Sequence, residues 1–70
     1  MIRYAPLWRT MQRKNISQYK LIHEYGIDKA QLQRLRDNKV VKTTTLDTLC
    51  TILDCAIQDV VEYVPNEQQQ

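Results

Sequence analysis

Glycine is nearly absent from this chain: Gly26 is the only one in 70 residues. A backbone with one glycine has no glycine-rich loop to cradle a phosphate. No apolar run approaches the ~20 residues of a membrane span. Nor does a basic start lead into a hydrophobic stretch, which predicts a cytoplasmic rather than an exported protein. Histidine occurs once, as His23, and cysteine twice, as Cys50 and Cys55. His23 has only the adjacent Glu24 for company, so it is read as a surface side chain and not a metal ligand. The two cysteines fall on different faces of an apolar helical stretch or across a helix end. That spacing suits neither zinc nor a disulfide and predicts reduced thiols in the core. With no nucleophile beside a base and its acids scattered, the chain argues against an enzyme, and no cofactor is expected.

Basic residues are missing from the second part of the chain. All ten lysines and arginines lie between Arg3 and Lys42, against only Glu24, Asp28 and Asp37, for a net +7. From residue 43 onward the charges are Asp47, Asp54, Asp59, Glu62 and Glu67, for −5. A basic half of this kind is matched to a polyanion, because phosphate neutralisation drives non-specific nucleic-acid affinity.

What is present is a pair of capped helix starts around the lone glycine. Ser17 is placed to cap one helix, running to about Tyr25, with Ile16 and Leu21 at hydrophobic-staple spacing. Asp28 is placed to cap the next, from Lys29 to about Asn38, with Gln31 in capping-box position and Ile27 and Leu32 as the second staple. Gly26 supplies the left-handed residue between them. Together these form a helix-turn-helix signature. Leu21, Ile22 and Tyr25 are expected to be buried from the first helix, and Leu32 and Leu35 from the second.

Around that unit the chain reads as further short helices. Pro6 suits the first turn of an opening helix whose Tyr4, Leu7, Trp8 and Met11 form one apolar stripe, and Asn15 tolerates a left-handed exit. Ile2–Tyr4 is either a frayed start or a small strand needing an edge, for which a second copy of the protein is one source. Val40–Thr44 reads as a loop, Thr45 as the cap of a leucine-rich helix ending at Asp54, and Ile57 to about Glu62 as a last short helix. Residues 1–64 form one domain on this reading, and 65–70 a polar disordered tail.

The outward face of the third helix carries Lys29, Ala30, Gln31 and Arg34. Arg and Lys pair with guanine edges, Gln with adenine, and Ala touches a thymine methyl. These four, at the helix start and one turn on, are the candidate base-reading positions for a helix entering the major groove of double-stranded DNA. Lys39, Lys42, Thr43 and Thr44 are candidates for phosphate contact, beside the N-terminus of the following helix. RNA is disfavoured because Trp8 and most tyrosines sit at core spacing rather than forming a stacking platform.

The stretches ISQYKL, YGIDKAQLQRLRDNK and TLDTLCTILDCAIQDVVE, spanning roughly residues 7 to 62, resemble the phage-repressor and Cro-like (XRE) helix-turn-helix family. The Tyr4-x-x-Leu7-Trp8 start and the Leu46-to-Cys55 stretch look like very small regulators of Gram-positive bacteria and their mobile elements. The resemblance implies an all-α, compact five-helix, lambda-repressor-like domain with the turn motif at helices two and three. It also implies sequence-specific DNA binding for transcription control in a nucleoid-associated protein. It places a phosphate-binding or base-orienting glutamine at Gln18. Two positions depart from the pattern: Ile22 stands where a small residue usually allows close helix packing, and Asp37-Asn38 where glycine is common. Ala30 reads bases poorly, which shifts specificity to its neighbours or to DNA shape. A homodimer would find its contact at Ile2–Tyr4 or the acidic last helix. The competing reading is a protein-interaction module, an antitoxin or co-regulator adaptor binding a partner regulator through the acidic C-terminal half.

Overall fold

A computed structural model describes residues 1–65. Residues 66–70, most of the tail expected to be disordered, lie outside the described residues. In chain order the elements are β1 (Ile2–Arg3), α1 (Ala5–Lys14), α2 (Gln18–His23), α3 (Lys29–Arg36), α4 (Thr43–Leu53), a single 3₁₀ turn (Ile57–Asp59) and β2 (Glu62–Tyr63).

The helices start where the caps predict. Ser17 Oγ accepts from Lys20 N–H at 3.1 Å, and Asp28 Oδ1 accepts from Ala30 N–H at 2.9 Å. Each bond satisfies a donor that the first turn otherwise leaves without an intrahelical partner. Gly26 has φ +73°, the left-handed conformation that lets α2 end and α3 begin at once. The Ile27 N–H closes this turn by donating to the Leu21 carbonyl at 2.9 Å.

Three other helices end on non-glycine left-handed residues: Asn15 at φ 60°, Asn38 at φ 56° and Asp54 at φ 50°. Each exit has the paired bonds of a Schellman motif. For α1, Asn15 and Ile16 donate to the Gln12 and Met11 carbonyls at 3.2 and 2.9 Å. For α3, Asn38 and Lys39 donate to Leu35 and Arg34 at 3.3 and 2.8 Å. Asn and Asp tolerate this conformation better than other side chains, so the chain turns corners with almost no glycine.

The core is made by one stripe from each helix. Leu7, Leu21, Leu32, Leu35, Leu49, Leu53 and Val60 are essentially inaccessible, with Tyr4, Met11 and Ile27 nearly so. Trp8, Ile22 and Leu46 pack half-buried around them. Tyr25 does not join this cluster. The turn at Gly26 leaves it 44% exposed, contrary to its helical spacing.

Two expectations about the ends of α4 and beyond are corrected. The helix begins at Thr43, after Lys42, with no side-chain cap. Thr45 lies in its first turn, and its hydroxyl donates to Gln31 Oε1 at 3.3 Å instead of capping. The fifth helix does not form over Ile57 to Glu62, and the described residues hold four α-helices. Its first residues make one 3₁₀ turn, in which Ala56 N–H donates to Asp59 Oδ2 at 3.2 Å. Ile57, at the start of that turn, is 49% exposed, while Val60 at its end is buried. Val60 and Val61 close the turn, both donating to the Ile57 carbonyl at 3.0 Å, and from Glu62 the chain extends and pairs with its own start. β1 and β2 are antiparallel, with Ile2 opposite Tyr63 and Arg3 opposite Glu62. The edge sought by Ile2–Arg3 is thus within the same chain. Val64 N–H donates to the Met1 carbonyl at 2.7 Å, and the Met1 amino group bonds the Val64 carbonyl.

Candidate nucleic-acid interface

Burial of Leu32 and Leu35 fixes the roll of α3 and determines which side chains it presents. Lys29, Ala30, Gln33, Arg34 and Arg36 are exposed, and Gln31 is half-buried. Three of the four candidate base-reading residues therefore face solvent, on a helix whose N-terminus is capped and rigidly joined to α2. Gln31 does not reach back to form a capping box. Its amide oxygen accepts from Thr45 instead, which ties the start of α3 to the first turn of α4. A shallow groove of about 210 Å³ lies along this junction, lined by Tyr25, Gly26, Ile27, Asp28, Gln31, Thr44, Thr45 and Thr48.

The candidate phosphate contacts fall into three places. Lys39 is exposed immediately after α3, and the Schellman exit fixes its backbone to that of Arg34. Lys42, Thr43 and Thr44 are exposed at the start of α4, where first-turn N–H groups and the positive end of the helix dipole are available to an anion. Thr44 also accepts at its carbonyl from the Thr48 hydroxyl at 2.9 Å, which anchors that turn. Gln18, the first residue of α2, is half-buried. Its amide oxygen accepts from Arg36 Nε at 2.9 Å and also from Nη2.

Arg36 was not among the candidate residues, yet it connects both helices of the motif. Its Nη1 donates to Gln33 Oε1 at 2.8 Å, and Gln33 Nε2 donates in turn to Asp37 Oδ2 at 3.1 Å. The Gln33-to-Arg36 and Gln33-to-Asp37 spacings of three and four residues could have been read from the sequence. The contact with Gln18, eighteen residues away, could not.

Aromatic placement also departs from expectation. Tyr4 is buried, but Tyr19, Tyr25 and Tyr63 are exposed, and Tyr19 packs on His23 with ring centroids 4.1 Å apart. His23 is exposed, as its lack of partners predicts. Cys50 and Cys55 are free thiols, half-buried at the far end of α4. Among the described residues, no group of three or more His, Cys, Asp or Glu side chains gathers as a metal site. No helix among them is long and apolar enough to cross a membrane.

A capped helix pair around a left-handed glycine, with a polar second helix held on a leucine core, defines a helix-turn-helix module. The chain belongs to the family of Cro/C1-type helix-turn-helix DNA-binding domains, which it matches over residues 6–66. Among solved structures it is similar to the crystal structure of the transcriptional regulator VanUg, form II. That match has a TM-score of 0.84 at 26% identity and covers 93% of this chain and 87% of the other. No curated protein matches the chain.

Proposed function

We propose that this protein is a sequence-specific transcriptional regulator that reads double-stranded DNA with α3 in the major groove. The observation that carries the reading is the division of α3 into a buried Leu32–Leu35 edge and an exposed Lys29–Ala30–Arg34 face. Membership of a DNA-binding family and the likeness to a transcriptional regulator support it.

In this mechanism α2 lies across the phosphate backbone while the start of α3 meets base edges. Lys29 and Arg34 donate to guanine O6 and N7, and Ala30 contacts a thymine methyl. Thr45 occupies the Gln31 amide oxygen, so Gln31 engages a base acceptor from its Nε2. Gln18, Lys39, Lys42, Thr43 and Thr44 hold phosphates and set the register. Residues 1–64 act as one domain, and the protein is a binding module rather than an enzyme. A homodimer would place two recognition helices in half-sites about 34–36 Å apart. Equilibrium binding to a selected duplex tests the scheme. Arg34→Ala should cost about 1–3 kcal/mol, concentrated at one base position. Equal losses on every sequence would remove Arg34 from base reading.

The adaptor reading, with the acidic C-terminal half gripping a partner regulator, makes a different prediction. Under it, Arg34→Ala would leave the regulatory effect in cells intact.

A further inference from the structure

The two cysteines are five residues apart and neither belongs to the proposed DNA face. The exit of α4 brings them together. Asp54 takes φ 50° and ψ 57°, and its N–H donates to the Thr51 carbonyl at 3.3 Å. Cys55 N–H donates to the Cys50 carbonyl at 3.1 Å. This is the third Schellman exit, in which the residues joined by the bond that spans five positions bring their side chains into contact over the helix end. Here that pair is two thiols. A 3.1 Å bond with one covalent arm on each side keeps the two Cα atoms within roughly 7 Å, inside the reach of two cysteine side chains. Both are half-buried and unoxidised.

We infer that Cys50 and Cys55 form a preorganised dithiol site at the end of α4 for a trivalent arsenical, a thiophile that closes a ring on two sulfurs. The donor set selects this chemistry. Structural zinc takes four ligands and catalytic zinc three from the protein. No third His, Cys, Asp or Glu completes such a set among the described residues. A trivalent arsenic oxide needs only the pair. It condenses with two protonated thiols, forming two As–S bonds while the oxygen and both thiol protons depart as one water. No oxidant enters and no net proton is released. The protonated state is the favoured one at Cys55. Burial raises its pKa, neighbouring Cys50 and Asp59 add to the rise, and Lys14 opposes it. Soft-metal binding would first have to displace those protons.

The test uses phenylarsine oxide and the full chain at neutral pH, with mass spectrometry, alkylation and thermal unfolding as readouts. One equivalent should bind and protect both thiols from iodoacetamide together. It should survive excess 2-mercaptoethanol and be removed by dithiothreitol. The unfolding midpoint should rise, because a ligand that prefers the folded site stabilises it. Cys50→Ser and Cys55→Ser should each abolish the monothiol-resistant adduct. Failure to bind, or thiols that react independently, would overturn the inference. So would a lowered midpoint in the wild-type chain, which would mean that the unfolded chain, not the helix exit, holds the arsenic.

Discussion

The hydroxyl of Tyr4 donates to the carbonyl of Lys39 at 2.9 Å, across 35 residues of chain. The Tyr4 backbone N–H makes a second tie, donating to Asn38 Oδ1 at 3.0 Å. The residue before α1 thus clamps the exit of the proposed recognition helix. Tyr4→Phe keeps the ring in the core but leaves the carbonyl without this donor. It should cost about 0.5–1.5 kcal/mol by urea unfolding at neutral pH. Burial holds the Tyr4 phenol above its ordinary pKa of 10.0. The unfolded chain therefore loses that proton first, and the wild type gives up stability relative to Tyr4→Phe as pH rises through about 10. The gap between the two proteins should narrow there.

Asn38 serves twice, as the left-handed residue and as the acceptor for Tyr4. Asn38→Gly keeps the conformation and loses the acceptor. Asn38→Ala loses both and adds roughly 1–2 kcal/mol of left-handed strain. Chemical denaturation should therefore rank the alanine variant below the glycine variant. The reverse order would mean that glycine's unfolded-state entropy outweighs the left-handed strain.

At Gly26 the strain is separable from crowding. A Cβ built there meets no atom within 4 Å, but φ is +73°. Gly26→Ala should cost about 1–2 kcal/mol from the backbone alone. Gly26→Asn should recover much of this loss, as asparagine does at Asn15 and Asn38. Thermal unfolding of the three proteins checks the order.

Much of this architecture is legible locally. Ser17, Asp28 and Gly26 announce the motif because caps and left-handed residues act over three or four positions. The leucines at i, i+3 spacing reveal the inner face of α3 for the same reason. The β1–β2 pair is not legible, since it joins residues some sixty apart and each strand is only two residues long. That pairing also explains why the expected fifth helix stops after one turn: Val60 and Val61 lead into a strand whose partner is remote. Thr45 misleads because a threonine before a leucine stripe reads locally as a cap. The helix starts two residues earlier, at Thr43, and the Thr45 hydroxyl goes to Gln31 of another helix. The exposed candidate residues follow from the helix period. The Arg36–Gln18 contact depends on the angle between α2 and α3, which no local pattern encodes.

Arg36 acts on DNA through Gln18 in this account. Arg36 occupies the Gln18 amide oxygen, which leaves Nε2 as the donor for the proposed phosphate contact. Arg36→Ala and Gln18→Ala should then weaken duplex binding by similar amounts, and the double variant by little more than either. Additive losses, with a salt slope flattened by about one in Arg36→Ala, would mean that the guanidinium meets a phosphate itself.

Lys42 and Arg34 should separate under salt. Lys42→Ala weakens all sequences alike and lowers the slope of log affinity against log salt by about one. Arg34→Ala changes which sequence is preferred. Fluorescence anisotropy on matched and scrambled duplexes across a salt series distinguishes the two effects.

The most direct measurement is selection from a random duplex library at about 150 mM salt, where contacts to phosphate alone hold weakly. The account predicts recovery of a defined site whose preference changes at one position in Arg34→Ala. Enrichment of no sequence by the wild-type protein would contradict it.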